Sequence, residues 1–326
     1  RKFDHADEYP EDIVEQMKGL GLFGATIAPE FGGLGLSAST YARLVMTIAS
    51  VWMAPVGIFN SHLIMAACVQ RHGTDAQKRH WLPRFASGEI RGGIGLTEPN
   101  AGTDLQAIRA VARRDGDAYV INGTKRYITN APVAHTFNVM ARTDPEVKGA
   151  RGISSFIVER DTPGITLGSI DKKMGQSGSM TCDVIFEDVR VPAENIIGEE
   201  GEGFITAMKV LDRGRLHISG VSIGVAKRLI ADALDYAMQR KQFGQPIAEQ
   251  QLIQAMLADS QTETYAAECM TMETAGRRDR NENVSTESSA CKLFCTEMVG
   301  RVADRAVQIH GGAGYMSEYA VERFYR

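Results

Sequence analysis

Apolar periodicity changes twice along this chain, and that order limits the fold more than any other feature. Up to about residue 90 the pattern is helical. Ile13, Met17 and Leu20 fall on one face, Asp12 can cap them and Gly21 ends the run. Ser37 or Ser39 opens a second segment, and 61–71 and 75–85 read as two more helices. Between about 89 and 200 short β-rich runs take over, at Ala118–Ile121, Thr136–Ala141, Ile153–Val158 and Cys182–Phe186. Asn-Gly, Asp-Gly and Pro-Gly signals separate them, and Asn122-Gly123 reads as a hairpin. From about 203 a helical period returns in three stripes. They are Leu229, Ile230, Ala233, Leu234, Ala237 and Met238; then Leu252, Ile253, Met256 and Leu257; then Leu293, Phe294, Met298, Val302 and Ala306. Residues 279–287 read as the exposed link between the last two. Helices, then strands, then helices is unlike the βα alternation of a doubly wound sheet. The expected fold class is α+β multidomain, with an α-helical domain over 1–88, an antiparallel β-barrel or sandwich over 89–202 and a helix bundle over 203–326.

A net charge of −4 and a pI near 6.0 give no electrostatic case for nucleic acid or an anionic membrane. The longest apolar stretches, such as Leu63–Val69, fall short of a membrane span. Five scattered cysteines without a CxxC suggest free thiols in a reducing compartment, with Cys291 and Cys295 packed in a helix core. The expected location is bacterial cytoplasm or mitochondrial matrix. The first residues, Arg-Lys-Phe-Asp-His-Ala-Asp, carry no apolar leader, and both ends read as trimmed.

Nicotinamide binding is disfavoured, because Gly33-Leu34-Gly35 and Gly93-Ile94-Gly95 lack the third glycine and Gly198–Gly203 lacks the βαβ context. No P-loop, HExxH or GxSxG occurs, and the seven histidines have no metal-ligand spacing. His62 and His217 read as packing residues. The richest stretch is Gly95-Leu96-Thr97-Glu98-Pro99-Asn100-Ala101-Gly102-Thr103-Asp104. Gly and Pro let its backbone turn sharply and approach a ligand, while Thr97 and Thr103 offer donors to a polar ring edge or a phosphate. On composition alone, a capped surface loop explains it equally well.

The whole segment resembles the flavin-binding signature of the acyl-CoA dehydrogenases, Gly-x-x-Thr-Glu-Pro-x-x-Gly-Ser-Asp, with Thr103 in place of Ser. Four further stretches continue the resemblance in order. Asn122-Gly123-Thr124-Lys125-Arg126-Tyr127-Ile128-Thr129-Asn130 is similar to the family's strand pair, with Tyr127 where Trp is commoner. Phe186–Pro192, Arg240–Gly244 and Gln308–Tyr315 resemble the exit strand and the two C-terminal signatures.

That resemblance implies FAD and an acyl-CoA substrate that loses its α-proton to a carboxylate and its β-hydrogen as hydride to flavin N5. Leu96, Thr97 and Thr129 would hydrogen-bond the flavin edge, Tyr127 would stack on the ring, and Gly102 and Thr103 would meet the pyrophosphate. Arg240, Phe243, Gln308 and Gly312 would reach the FAD of a neighbouring subunit in a homotetramer. Leu211, Asp212 and Arg215, at what resembles a helix start, and Thr103 would bind the acyl-CoA. No metal is expected, and electrons would pass to electron-transferring flavoprotein. Gly214 stands where a minority of the family carries its base and cannot take a proton. The usual Glu is expected in a Tyr-Glu-Gly-Thr segment beyond Arg326, while Glu318 and Glu322 match structural positions. Residues 1–326 alone are therefore expected to hold FAD weakly and not to abstract the α-proton. Residues 54–65 contain no Arg for a second carboxylate, which favours a monocarboxylic acyl group. The competing expectations are an acyl-CoA oxidase, an eliminating (desulfinase-like) member, or a non-catalytic flavoprotein.

Overall fold

A computed structural model describes residues 4, 6–147 and 149–326, with the side chains of 212 and 213 outside the description. Helices α1 (Glu11–Gly19), α2 (Ala38–Ala49), α3 (Met53–His72) and α4 (Asp75–Ala86) come first. Seven strands follow: β1 (Gly92–Gly95), β2 (Val111–Asp115), β3 (Ala118–Thr129), β4 (Thr136–Arg142), β5 (Ile153–Glu159), β6 (Ile165–Leu167) and β7 (Thr181–Pro192). The C-terminal part contains α5 (Gly203–Gln239), the ribbon β8 (Lys241–Gln242) and β9 (Gln245–Pro246), α6 (Gln251–Asp279), α7 (Ser285–His310) and α8 (Val321–Tyr325). The helix–sheet–helix class expected from periodicity is the one observed.

The chain forms two compact units. One contains Arg1–Leu36, Gly57–Lys173 and Ser177–Leu211; the other contains Ser37–Val56, Met174–Gln176 and Asp212–Arg326.

In the first unit the sheet runs β1-β4-β2-β3-β7-β6, with β5 on β4. The sheet is mixed where an antiparallel one was expected, since β1 and β2 each pair parallel to β4. Its core is Tyr119, Ile121, Phe137, Val139, Phe156, Val158, Val184, Phe186 and Val189. The hairpin expected at Asn122-Gly123 lies elsewhere. Asp115 pairs with Ala118, so Gly116-Asp117 makes the turn, and Gly116 takes φ +63°. Gly123 sits inside β3 at a register shift against β7, with φ +147°. A Cβ there would fall 2.6 Å from Ala110 Cβ, so this glycine serves a bulge and a close approach.

Helix α3 begins at Met53, well before the expected 61, because Pro55 in its first turn costs no hydrogen bond. At 20 residues and mean hydropathy 1.3 it is long and apolar enough to cross a membrane, contrary to the expectation drawn from Leu63–Val69. With 67% of that window buried, it is a core helix here. Asp12 is not a cap, since α1 starts one residue earlier, at Glu11. Of the two serines, Ser37 caps α2 by accepting from Thr40 N. His62 is buried, with Nε2 3.0 Å from Phe85 O and Nδ1 accepting from Gly92 N at 3.3 Å. Burial pushes its pKa down to about 4.

That shift has a testable consequence. The unfolded chain takes up this proton near pH 6.5 and the folded chain only near 4, so stability is full above 6.5 and falls toward 4. His62 alone is worth about 3 kcal/mol across that window. His217, buried and lowered to about 3, adds a loss of the same sign. Denaturant unfolding at pH 6.5 and 5.5, above the ordinary carboxylate range, should show the drop; equal midpoints would contradict it.

In the second unit the expected stripes are only partly the buried faces. Leu229, Ala233 and Ala237 are buried, but Leu234 and Met238 are exposed, as are Leu252 and Leu293. The α6–α7 seam is built from smaller groups. Thr264 meets Met298, Thr271 meets Cys295 and Thr274 meets Cys291, with sulfur distances of 3.5, 3.5 and 3.3 Å. Ser260 and Thr274 also donate to carbonyls four residues back, which satisfies their hydroxyls within the helix. Both cysteines are core residues, as expected. The link 280–284 carries four exposed residues, and Asp279 before it accepts from Ala38 N and Ser39 N at the start of α2.

Candidate active site

The Gly95–Asp104 loop leaves β1 and is fastened to β3 at three points. Arg126 N donates to Thr97 O at 2.8 Å. Lys125 Nζ donates to Leu96 O at 3.3 Å and pairs with Glu98 Oε1 at 2.7 Å, the two side chains being 0% and 2% exposed. Glu98 also accepts from Arg109 N (2.6 Å) and Ala110 N (3.0 Å), and its own backbone closes a tight bridge with Ala101. A buried ion pair survives desolvation only with such additional hydrogen bonds. Burial pulls the Lys125 pKa down, and Glu98 opposes that pull.

This fastening brings Thr97 beside the end of β3, where Tyr127 and Thr129 follow. Thr97, Thr129 and Leu96 are half-buried, while Gly102 and Thr103 are exposed at the loop's far end. Tyr127 occupies the register shift between Lys125 and Ile128 against β7. Its φ is +57° and it is 59% exposed, with Arg126 lying over the ring at 5.2 Å. A non-glycine residue held in left-handed backbone costs about 1–3 kcal/mol, a strain characteristic of ligand sites. The bulge turns the aromatic ring outward instead of into the sheet core. Asn130, also left-handed at φ +68°, ties the end of this strand to α3 by donating to Ile58 O at 2.8 Å.

In the second unit, Arg240 and Gly312 line one concavity with Gln242, Tyr236, His310 and Tyr319. Tyr236 stacks on His310 at 4.4 Å, and Tyr319 meets both edge-on. A Cβ on Gly312 would meet nothing within 4 Å. Gln308 is exposed on the last turn of α7. Phe243 is 96% exposed in the β8–β9 turn, where it and Gly244 both have positive φ. The turn therefore holds a large aromatic ring in solvent at a strained position.

The 211–215 segment is not a helix start. Helix α5 begins at Gly203, so Leu211, Gly214 and Arg215 lie about two to three turns inside it. Leu211 and Arg215 are half-buried, and the Asp212 side chain is outside the described residues. Glu322 pairs with Arg326 at 2.8 Å and Glu318 is exposed; both belong to the second unit.

Sequence reasoning named neither Lys125 nor Glu98 as functional, although each stands inside a quoted motif. A lysine amid strand residues and a glutamate beside a proline are ordinary surface residues until the fold buries them together. The Tyr236–His310–Tyr319 cluster left no sequence signal, because Tyr236 lies far from His310 and Tyr319 in the chain.

The residues fit a flavin on their own geometry. In the first unit an outward aromatic ring held by a strained bulge stands on the strand that carries Thr129 and to which Thr97 O is hydrogen-bonded. In the second unit, taken by itself, an open glycine and an arginine border an aromatic-lined concavity of a kind that suits a nucleotide. Loaded with FAD, such a site gains a two-electron acceptor whose polar edge these donors can stabilise.

Comparison with known proteins agrees over the whole length. The acyl-CoA dehydrogenase N-terminal, middle and C-terminal domain models match residues 1–89, 93–189 and 201–326. Acryloyl-CoA reductase (NADH) of Anaerotignum propionicum is 40% identical, over 100% of this chain and 83% of its own length. The caffeyl-CoA reductase–Etf complex subunit CarC of Acetobacterium woodii is 39% identical, over 99% and 85%. The solved butyryl-CoA dehydrogenase of Megasphaera elsdenii aligns with a TM-score of 0.95 at 36% identity, covering 99% of this chain and 86% of its own. The chain belongs to the acyl-CoA dehydrogenase family. It is an FAD-dependent oxidoreductase of that family.

Proposed function

We propose that the protein catalyses α,β-dehydrogenation of a monocarboxylic acyl-CoA. The substrate would give its α-proton to a carboxylate base and its β-hydrogen as hydride; FAD held at this site would supply the two-electron acceptor, with an electron-transferring flavoprotein as the onward partner. One observation supports the reading: the Gly95–Asp104 loop is clamped to β3 through Arg126 and Lys125, immediately before Tyr127 and Thr129 in that strand. Leu96, Thr97 and Thr129 serve the ring edge, Tyr127 a ring face, and Gly102 and Thr103 the pyrophosphate. Leu211, Asp212 and Arg215 serve the thioester and pantetheine. The names of two relatives, both reductases and one a subunit of an Etf complex, support the flavoprotein relay. They also favour a second reading in which the same hydrogen pair is added to an α,β-unsaturated acyl-CoA.

Anaerobic titration of the full gene product with acyl-CoAs of graded length tests the proposal. One chain length should bleach the flavin and yield a product two hydrogens lighter. Bleaching only by an external reductant, followed by reoxidation with an enoyl-CoA, would select the reductase direction. No response to either ligand would refute both.

Assembly belongs to the same reading. Leu234, Met238, Leu252, Leu293 and Phe243 leave apolar surface on the second unit, which suits burial in a homotetramer. Arg240, Phe243, Gln308 and Gly312 would then reach a neighbour's FAD. Arg240→Ala should weaken FAD retention and tetramer assembly together, because cofactor binding stabilises only the state that forms the site. Light scattering on the holoprotein with and without added FAD reads both; a monomer with tightly held FAD would contradict it.

A further inference from the structure

The Leu96–Thr97 peptide is held from the protein side through the Leu96 carbonyl, which accepts from Lys125 Nζ at 3.3 Å. No cis peptide occurs among the described residues, so this peptide is trans, with its C=O and N–H directed oppositely. With the carbonyl turned toward the buried ammonium, the Thr97 N–H is turned away from it. A cation on the oxygen of an amide also draws electron density from its nitrogen and strengthens the N–H as a donor. The next carbonyl, Thr97 O, is fixed by Arg126 N at 2.8 Å, so the dipeptide cannot swivel.

Glu98 keeps the ammonium where it is. Its carboxylate lies 2.7 Å from Nζ and is itself anchored by two backbone N–H groups. Both side chains are buried, so water does not screen the charge beneath the peptide. A lysine that only filled space here could be replaced by a neutral chain of similar length.

We propose that Lys125, fixed by Glu98, is a positioning residue that aims and polarises the Leu96–Thr97 peptide, so that the Thr97 N–H stabilises negative charge arriving on the flavin edge and makes bound FAD easier to reduce. The inference rests on the reading that this loop meets the flavin ring. It differs from a structural role in one respect: it favours reduced over oxidised cofactor, not merely folded over unfolded chain.

The test compares wild type, Lys125→Met and the double variant Lys125→Met/Glu98→Leu, each as holoprotein. Three quantities are read: thermal midpoint, FAD dissociation constant and flavin midpoint potential. Lys125→Met leaves a buried carboxylate unpaired and should lower both the melting point and the potential. The double variant removes both charges, so it should recover much of the stability. Its potential should stay low, with preference for reduced over oxidised flavin down about tenfold, or about 30 mV for a two-electron couple. A double variant with wild-type potential would overturn the proposal, whatever its melting point. So would a Lys125→Met protein that loses stability while keeping its potential. Wild type that retains no FAD would instead overturn the underlying reading of the loop, which separates the two failures.

Discussion

Replacing Thr97 or Thr129 with alanine should slow cofactor reduction by roughly ten- to a hundredfold while leaving acyl-CoA binding nearly unchanged. Both side chains are half-buried where the loop meets the end of β3, and neither change opens a large cavity. Each removes one hydroxyl proposed to face the flavin ring. A hydrogen bond to a charged group is worth about 1.5–3 kcal/mol, and it counts most once negative charge has developed. The loss therefore falls on the rate and not on the Michaelis complex. Stopped-flow reduction at saturating acyl-CoA separates the two terms. Wild-type rates in both variants would remove these residues from the site.

Gly224→Ala should be among the most damaging single-atom additions in the second unit. Helix α5 crosses α2 so closely that a Cβ at Gly224 would lie 2.1 Å from Met46 O and 2.8 Å from its carbonyl carbon. Backbone cannot rotate aside as a side chain can, so the helices must separate. Overpacking of this kind costs about 3 kcal/mol at the upper end of the usual range. For a chain of this size that lowers the thermal midpoint by roughly 4 °C. Gly220, one turn earlier, supplies an internal control. A Cβ there meets Ala42 O at 3.2 Å, a strain that the better helix propensity of alanine, about 1 kcal/mol, can offset. Calorimetry on the pair should show a large drop for Gly224→Ala and little change for Gly220→Ala. Equal shifts would show that helix spacing is not set by this contact.

The sequence carried the architecture because periodicity reports burial, and burial here is organised by element. The strand cores at Thr136–Ala141 and Ile153–Val158 were legible for that reason, and observed β4 and β5 run one residue past them. Failures came where one local signal had two physical meanings. Gly123 permits a hairpin turn or a bulge, and only the steric conflict with Ala110 decides between them. The α6 side of the seam was misread because its buried residues are Ser260, Thr264, Ala267, Thr271, Thr274 and Ala275, whereas Met298, Val302 and Ala306 of the expected α7 stripe are buried. Small polar residues carry no hydrophobic stripe; Ser260 and Thr274 satisfy their hydroxyls within the helix, while Thr264 and Thr271 meet sulfur on α7.

The candidate site was legible in its contact residues and not in its support. Thr97, Tyr127 and Thr129 are named by motif, and the bond from Arg126 N to Thr97 O joins their two segments. Lys125 and Glu98 stand 27 positions apart, and nothing local says that both are buried. The outward turn of Tyr127 depends on a register shift against β7, a strand more than fifty residues later, which no local window contains.

Locating bound FAD by crystallography in the holoprotein tests the central claim most directly. The account predicts the flavin ring against the Tyr127 side chain, with the Thr97 and Thr129 hydroxyls and the Thr97 N–H within about 3.2 Å of its polar edge. A flavin ring seated elsewhere, with Thr97, Tyr127 and Thr129 left in solvent, would contradict it.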